Sequence, residues 1–260
     1  MELSKDLRCA LEAARLAAPI LREGFESIHT IQAKGAPFDV VTNVDLESER
    51  VICEYIKAHS AYPILSEEQG TDKVPNGTFW VVDPLDGTLN FSRKIPLCVI
   101  SIALISNVKT QVAVIMDPFQ ERCYFAERGQ GAYCNKQKIS VSDRTQLSES
   151  MFFLDHGYDE YSRQVHAKVV SNLASTSFTR TLGATALEHC YVAQGSIEAC
   201  ATIGDKYWDS AAGVLIVEEA GGRVSDWEGK SWDHTSTTII TSNGHIHQQS
   251  ISLLNEAISK

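Results

Sequence analysis

The segment Trp80-Val81-Val82-Asp83-Pro84-Leu85-Asp86-Gly87-Thr88-Leu89-Asn90-Phe91 holds the residues best suited to chemistry. An apolar strand runs into two carboxylates three positions apart, Pro84 stiffens the turn between them, and Gly87 lets the backbone approach a ligand. Such a turn can aim both carboxylates and an intervening carbonyl at one hard cation. Asp-Pro and Asp-Gly are also ordinary turn pairs. The order of the whole string, placed after a strand, is what sets it apart.

This string resembles the signature of the inositol monophosphatase family, within the lithium-sensitive, magnesium-dependent phosphatases. A second stretch resembles the same family: Trp208-Asp209-Ser210-Ala211-Ala212-Gly213, leading to Glu219-Ala220-Gly221-Gly222. The order and separation of the two motifs extend the resemblance over essentially the whole chain. It implies an α/β fold, layered in the α+β sense, of alternating helix and sheet layers like those of inositol monophosphatase and fructose-1,6-bisphosphatase.

By position, the resemblance also implies roles. Glu67 in Ser66-Glu67-Glu68, Asp83, the Leu85 carbonyl, Asp86 and Asp209 are the expected metal ligands, with Asp83 bridging two ions. Asp45 is expected to orient Thr88, and these two with Glu67 form the expected catalytic set; Asp45 also fits a helix capping box, Thr42-Asn43-Val44-Asp45. Gly87, Thr88, Gly183, Ala184 and Asp209 are the expected substrate contacts. Lys34 lies where relatives carry a basic residue near the site.

Four carboxylates gathered at one place would repel a phosphate dianion and raise one another's pKa unless cations intervene. The ligands are all oxygen, without His or Cys, which favours Mg2+ or Mn2+ over zinc. Two ions are expected, and a third arriving with substrate. The implied activity is hydrolysis of a small phosphate monoester by a metal-activated water oriented by Thr88, with no covalent nucleophile.

Inositol monophosphate leads the substrate list. Fructose 1,6-bisphosphate, histidinol phosphate, 3'-phosphoadenosine 5'-phosphate and NADP phosphate are the alternatives. Inositol-preferring members carry an acid seven positions before the Trp-Asp aspartate, and here that position is Thr202. Asp205 and Lys206 fall on the approach to the site. The reading from another class is a non-catalytic interaction protein that keeps the fold.

Helices are predicted from near Ser4, where Leu7, Leu11, Ala14, Ala18, Leu21 and Phe25 share one face, and from Thr42, with Leu46, Ile52, Tyr55 and Ile56 as its buried stripe. Lys34-Gly35-Ala36-Pro37 marks an irregular connection between them. Short β-branched runs from residue 62 to 139 predict a largely antiparallel meander, the last run being Ala132 to Ile139. Strands near Phe152, Ile197 to Ile203 and Thr237 to Thr241 alternate with helices near Tyr161 to Ala174, Thr185 to Gln194, Trp208 to Ala220 and from Ile246. The expected organisation is residues 1–145 as an α+β region with most metal ligands and 146–260 as an α/β region supplying Asp209, forming one integrated unit.

The 260 residues are 43% hydrophobic and 22% charged with a net charge of -10, enough to build a core without staples. That acidity and the lack of a basic stripe argue against nucleic acid as a partner. No apolar run is long enough for a membrane span. Seven cysteines without a Cys-x-x-Cys pair read as reduced thiols in a cytoplasmic protein. The expected partner is a small phosphorylated metabolite, with a second copy of the chain in a homodimer. Gly129-Gln130-Gly131 reads as a hairpin turn, and His245-x-His247 as a solvated pair.

Overall fold

The computed structural model describes residues 3–27, 30–36, 38–69, 73–174 and 176–259. Helix α1 (Lys5–Glu26) starts where Ser4 Oγ accepts from Leu7 N at 3.1 Å, and it buries Leu7, Ala14, Ala18 and Leu21 as their spacing predicts. A two-stranded antiparallel ribbon follows, β1 (Ile31–Ala33) and β2 (Val40–Thr42), and Lys34 leaves its first strand. Pro37 lies outside the described residues. Helix α2 (Asn43–His59) opens with the expected capping box of Thr42 and Asp45. Leu46 corrects the predicted stripe: it is 53% exposed, while Val44, Ile52 and Ile56 carry the buried face.

A seven-stranded sheet comes next. It comprises β3 (Ile64–Ser66), β4 (Phe79–Asp86), then short helix α3 (Thr88–Ser92), β5 (Val99–Ser106), β6 (Lys109–Asp117), β7 (Arg122–Glu127), β8 (Ala132–Cys134) and β9 (Gln137–Lys138), in that spatial order. The pairs are antiparallel except β3 with β4, which run parallel. The run Ala132 to Ile139 is two strands and not one, because Asn135 takes a left-handed φ of 54° and turns the chain back.

The second sheet has five strands in the order β11-β10-β12-β14-β13. Its elements are β10 (Met151–His156), α4 (Glu160–Leu173), β11 (Phe178–Arg180), α5 (Thr185–Ala193), β12 (Ala199–Ile203), α6 (Tyr207–Glu219), β13 (Arg223–Ser225), β14 (Thr238–Ser242) and α7 (His247–Ser259). β10 is parallel to β11 and β12, and β14 is antiparallel to β12 and β13.

Adjacent residues of one strand reveal the layers. Val82 packs with α1 and α2, whereas its neighbour Val81 packs with α5 and α6. Cys200 and Phe153 of the second sheet join the α5 and α6 side, while Ala201 and Leu154 pack with α4 and α7. The order is therefore helix pair, sheet, helix pair, sheet, helix pair. The central pair is buried on all sides, which is why α5 and α6 read as apolar without a polar stripe. His247 corrects the solvated pair: it is fully buried, and its ring nitrogens meet Ser225 Oγ at 3.0 Å and Ser242 Oγ at 2.8 Å.

Candidate active site

Strand β4 carries both motif carboxylates at its end, where its pairing with β5 breaks register between Asp83 and Asp86. That irregularity leaves Pro84 and Leu85 unpaired between two paired residues, Asp83 opposite Ser101 and Asp86 opposite Val99. Asp83 Oδ1 accepts from Leu85 N at 3.0 Å, and Ser48 Oγ of α2 donates to the Pro84 carbonyl at 2.8 Å. Asp86 Oδ2 accepts from Ala186 N, in the first turn of α5, at 2.7 Å. Gly87 follows at φ 91°, and an added Cβ would lie 2.7 Å from the Leu97 carbonyl and 3.1 Å from Ala184 Cβ. Only glycine fits that turn.

Thr88 Oγ1 donates to Asp45 Oδ1 at 2.7 Å and lies 3.0 Å from the Leu85 carbonyl. Asp45 is fully buried, and its other oxygen accepts from Thr42 N at 2.9 Å and from the Thr42 hydroxyl. Capping box and Thr88 partner are therefore the same carboxylate. The two roles read as alternatives from sequence coexist, one on each oxygen.

Glu67 and Glu68 follow β3, and Lys34 Nζ reaches both, lying 2.8 Å from Glu67 Oε1. The Lys34 ammonium is held protonated by these two carboxylates against the pull of burial. Glu49 supports the turn from α2 by accepting from Ser66 Oγ and, at 2.9 Å, from Glu68 N. Asp209 enters from the first turn of α6, its Oδ2 accepting from Lys206 N at 2.8 Å.

Electrostatics identify what this arrangement lacks. Burial, then Glu67, Asp86 and Asp209, hold the Asp83 carboxyl well above the usual range. Burial pushes Asp86 up to about 8, and burial followed by Asp205, Asp86 and Glu67 raises Asp209 well above its ordinary value. Glu67 is raised by burial despite Lys34. The chain thus brings Glu67, Asp83, Asp86 and Asp209 into mutual electrostatic range, with the Lys34 ammonium beside Glu67. Among the described residues, no three acidic, His or Cys side chains already close into a metal cage. The donor set is all oxygen and short of positive charge, which fits a hard divalent cation.

The sequence reading named Gly183 and Ala184 but missed the contacts of Asn90, the acid Asp155 and Tyr158. Asn90 Nδ2 donates to the carbonyls of Leu97 at 3.0 Å and Leu182 at 2.7 Å, tying the motif to the loop before α5. Gly183 sits at the end of that loop, its N donating to Asp155 Oδ2 at 2.9 Å, and Ala184 is buried just before α5. Tyr158, 47% exposed, stands near Asp39, Asp209, Asp86 and Glu67, where local desolvation and these acids push its hydroxyl pKa up. A signal for Asp155 was available: it lies at the carboxyl end of β10, as Asp205, already read as on the approach to the site, lies just past that of β12, where open α/β sheets bind ligands. Asp205 is raised to about 7 by burial, against the pull of the Thr202 and Thr185 hydroxyls.

The chain is similar to known proteins along nearly its whole length. The sequence profile of the inositol monophosphatase family matches residues 2–259. The Nus factor SuhB of Escherichia coli strain K12 is 34% identical over 262 residues, covering 97% of each chain. The inositol-1-monophosphatase of Synechocystis is 33% identical over 260 residues, covering 95% of this chain and 88% of that one. The Thermotoga maritima IMPase superposes with a TM-score of 0.90 at 30% identity, covering 98% of this chain and 99% of the other. Layered architecture, ordered motifs and a match along nearly the whole length lead to one conclusion: the chain belongs to the inositol monophosphatase family.

Proposed function

We propose that the protein hydrolyses a small phosphate monoester in the presence of Mg2+, with inositol monophosphate as the reference substrate and Mn2+ as a substitute ion. The observation that carries this reading is the set of buried Asp83 and Asp86 with half-buried Glu67 and Asp209, raised in pKa by desolvation and mutual repulsion. These residues and the Leu85 carbonyl would hold two or three ions. Bound there, magnesium supplies Lewis acidity toward the attacking water and the departing ester oxygen.

The chain's own groups do the rest. Asp45 takes the Thr88 hydrogen, so the hydroxyl oxygen is left to accept from a water and fix its direction of attack. The backbone of Gly87 and Thr88 and the small residues Gly183 and Ala184 shape the space for phosphate and alcohol. Water oxygen bonds to phosphorus, the ester P–O bond breaks, and the alcohol leaves with a proton given up by the attacking water. In this reading residues 1–145 hold most ligands, residues 146–260 bring Asp209, and the working form is a homodimer.

Asp86→Asn and Asp209→Asn test the assignment. Each is expected to lower phosphate release by at least about a thousandfold while leaving the circular dichroism spectrum unchanged. Full turnover in either purified variant sinks it. Several relatives are named Nus factor SuhB, so wild-type protein that released no phosphate from any ester would favour the non-catalytic reading.

A further inference from the structure

The turn of residues 181–183, between β11 and α5, lies at the surface, yet side chains from α3, α5 and β10 hold its backbone. Leu182 N donates to Glu188 Oε1 at 2.7 Å, and Gly183 N donates to Asp155 Oδ2 at 2.9 Å. The Leu182 carbonyl accepts from Asn90 Nδ2 at 2.7 Å, and Thr181 Oγ1 donates to the Leu154 carbonyl at 2.6 Å. Surface turns can leave such groups to water.

Glu188 is the costly member of this set. It is fully buried, and its second oxygen, Oε2, accepts from Cys200 Sγ of β12 at 3.3 Å. Among the described residues no Lys, Arg or His forms an ion pair with it. Burial, followed by Asp155, pushes its carboxyl well above the usual range. An apolar side chain of similar volume would fill this core position without taking a carboxyl out of water. What the acid adds is an acceptor for Leu182 N, and Asp155 adds one for the next residue. Beyond the turn, Ala184 is buried and Ala186 N donates to Asp86 Oδ2 at 2.7 Å, so this stretch runs straight into the acid cluster.

We propose that Glu188 and Asp155 are positioning residues: their carboxylates clamp successive N–H groups of this turn and so set where Gly183 and Ala184 meet the alcohol half of the substrate. The inference rests on the phosphatase reading, which makes Gly183 and Ala184 substrate contacts. Both acids act through the turn and not on the reacting atoms.

The test uses the magnesium-loaded enzyme and inositol monophosphate. Glu188→Met keeps the volume and removes the acceptor, whereas Glu188→Gln keeps an acceptor for Leu182 N. Glu188→Met is expected to raise KM about tenfold and to leave kcat within about twofold, because a misplaced wall weakens ground and transition states alike. Glu188→Gln returns KM to within about twofold of wild type. Asp155→Ala raises KM on the same scale, and the double variant raises it by less than the product of the two, since both residues act on one turn. Unchanged KM in Glu188→Met and Asp155→Ala, or a loss confined to kcat, overturns the inference and leaves the phosphatase reading intact. So does a double variant whose KM rise equals that product.

A second arm needs no turnover. Hydrogen exchange read by NMR is expected to find the Leu182 and Gly183 amides protected in wild type and Glu188→Gln, with Leu182 exchanging at least about tenfold faster in Glu188→Met. Asp155→Ala does the same for Gly183, which covers a Glu188→Met that fails to fold. Equal exchange in wild type and folded variants overturns the clamp. Protected amides together with no phosphate release by the wild type from any ester overturn the phosphatase reading, and the substrate role of the turn with it.

Discussion

Thr88 has one hydroxyl hydrogen and two acceptors within reach, Asp45 Oδ1 at 2.7 Å and the Leu85 carbonyl at 3.0 Å. The shorter, charge-assisted bond wins, since a carboxylate outcompetes a neutral carbonyl. On the proposed mechanism this leaves the Thr88 oxygen free to accept from the attacking water. Thr88→Ala should therefore lower kcat about a hundredfold or more with little change in KM, while Thr88→Ser retains most activity. Steady-state kinetics on the two variants measure the difference; equal loss in both would place Thr88 in packing and not in orientation. Lys34 shows what residue types alone conceal. Its position resembles that of a basic residue near the site, and folding shows which partners it has there, Glu67 and Glu68.

Among the elements, α5 and α6 approach so closely that position 213 has no room for a side chain. A Cβ on Gly213 would lie 2.4 Å from His189 Cδ2 and 2.6 Å from its Cβ. His189 cannot yield easily, because its ring is buried between Thr241 Oγ1 at 3.0 Å and Ser210 Oγ at 3.2 Å. Gly213→Ala is expected to cost about 1–3 kcal/mol of stability, read from urea unfolding, and to reduce activity by displacing Asp209 on the same helix. A neutral change in both would show that the helices separate without penalty. This explains in physical terms the glycine of the second motif. The helices were legible where side chains both cap and pattern them, as at Ser4 and Thr42. Strands β1, β11 and β13 were not, since three residues are too few for a period to register. Leu46 misled because an apolar side chain at helical spacing is counted as buried before the packing partner is known.

At the scale of the molecule, two sheets and three helix pairs serve to bring together acids that are far apart in sequence. Glu67 follows β3, Asp83 and Asp86 end β4, and Asp209 opens α6, so the central helix pair locks one sheet's carboxylates against those of the other half. The motif residues were legible because their order carries the pattern. The Asp86 to Ala186 bond and Tyr158 near the acids were not, because each depends on tertiary approach across the layers. Net charge -10 suggested a chain that shuns anions. On the proposed mechanism the gathered acids, with the Lys34 ammonium beside Glu67, would reverse that expectation, since divalent ions would turn a repulsive cluster into an attractive one. The direct measurement is phosphate release from inositol monophosphate by EDTA-stripped protein, followed as Mg2+ is titrated back. The account predicts no release without metal and a saturable rise with Mg2+ that Asp209→Asn lacks. Release that EDTA does not suppress would contradict it.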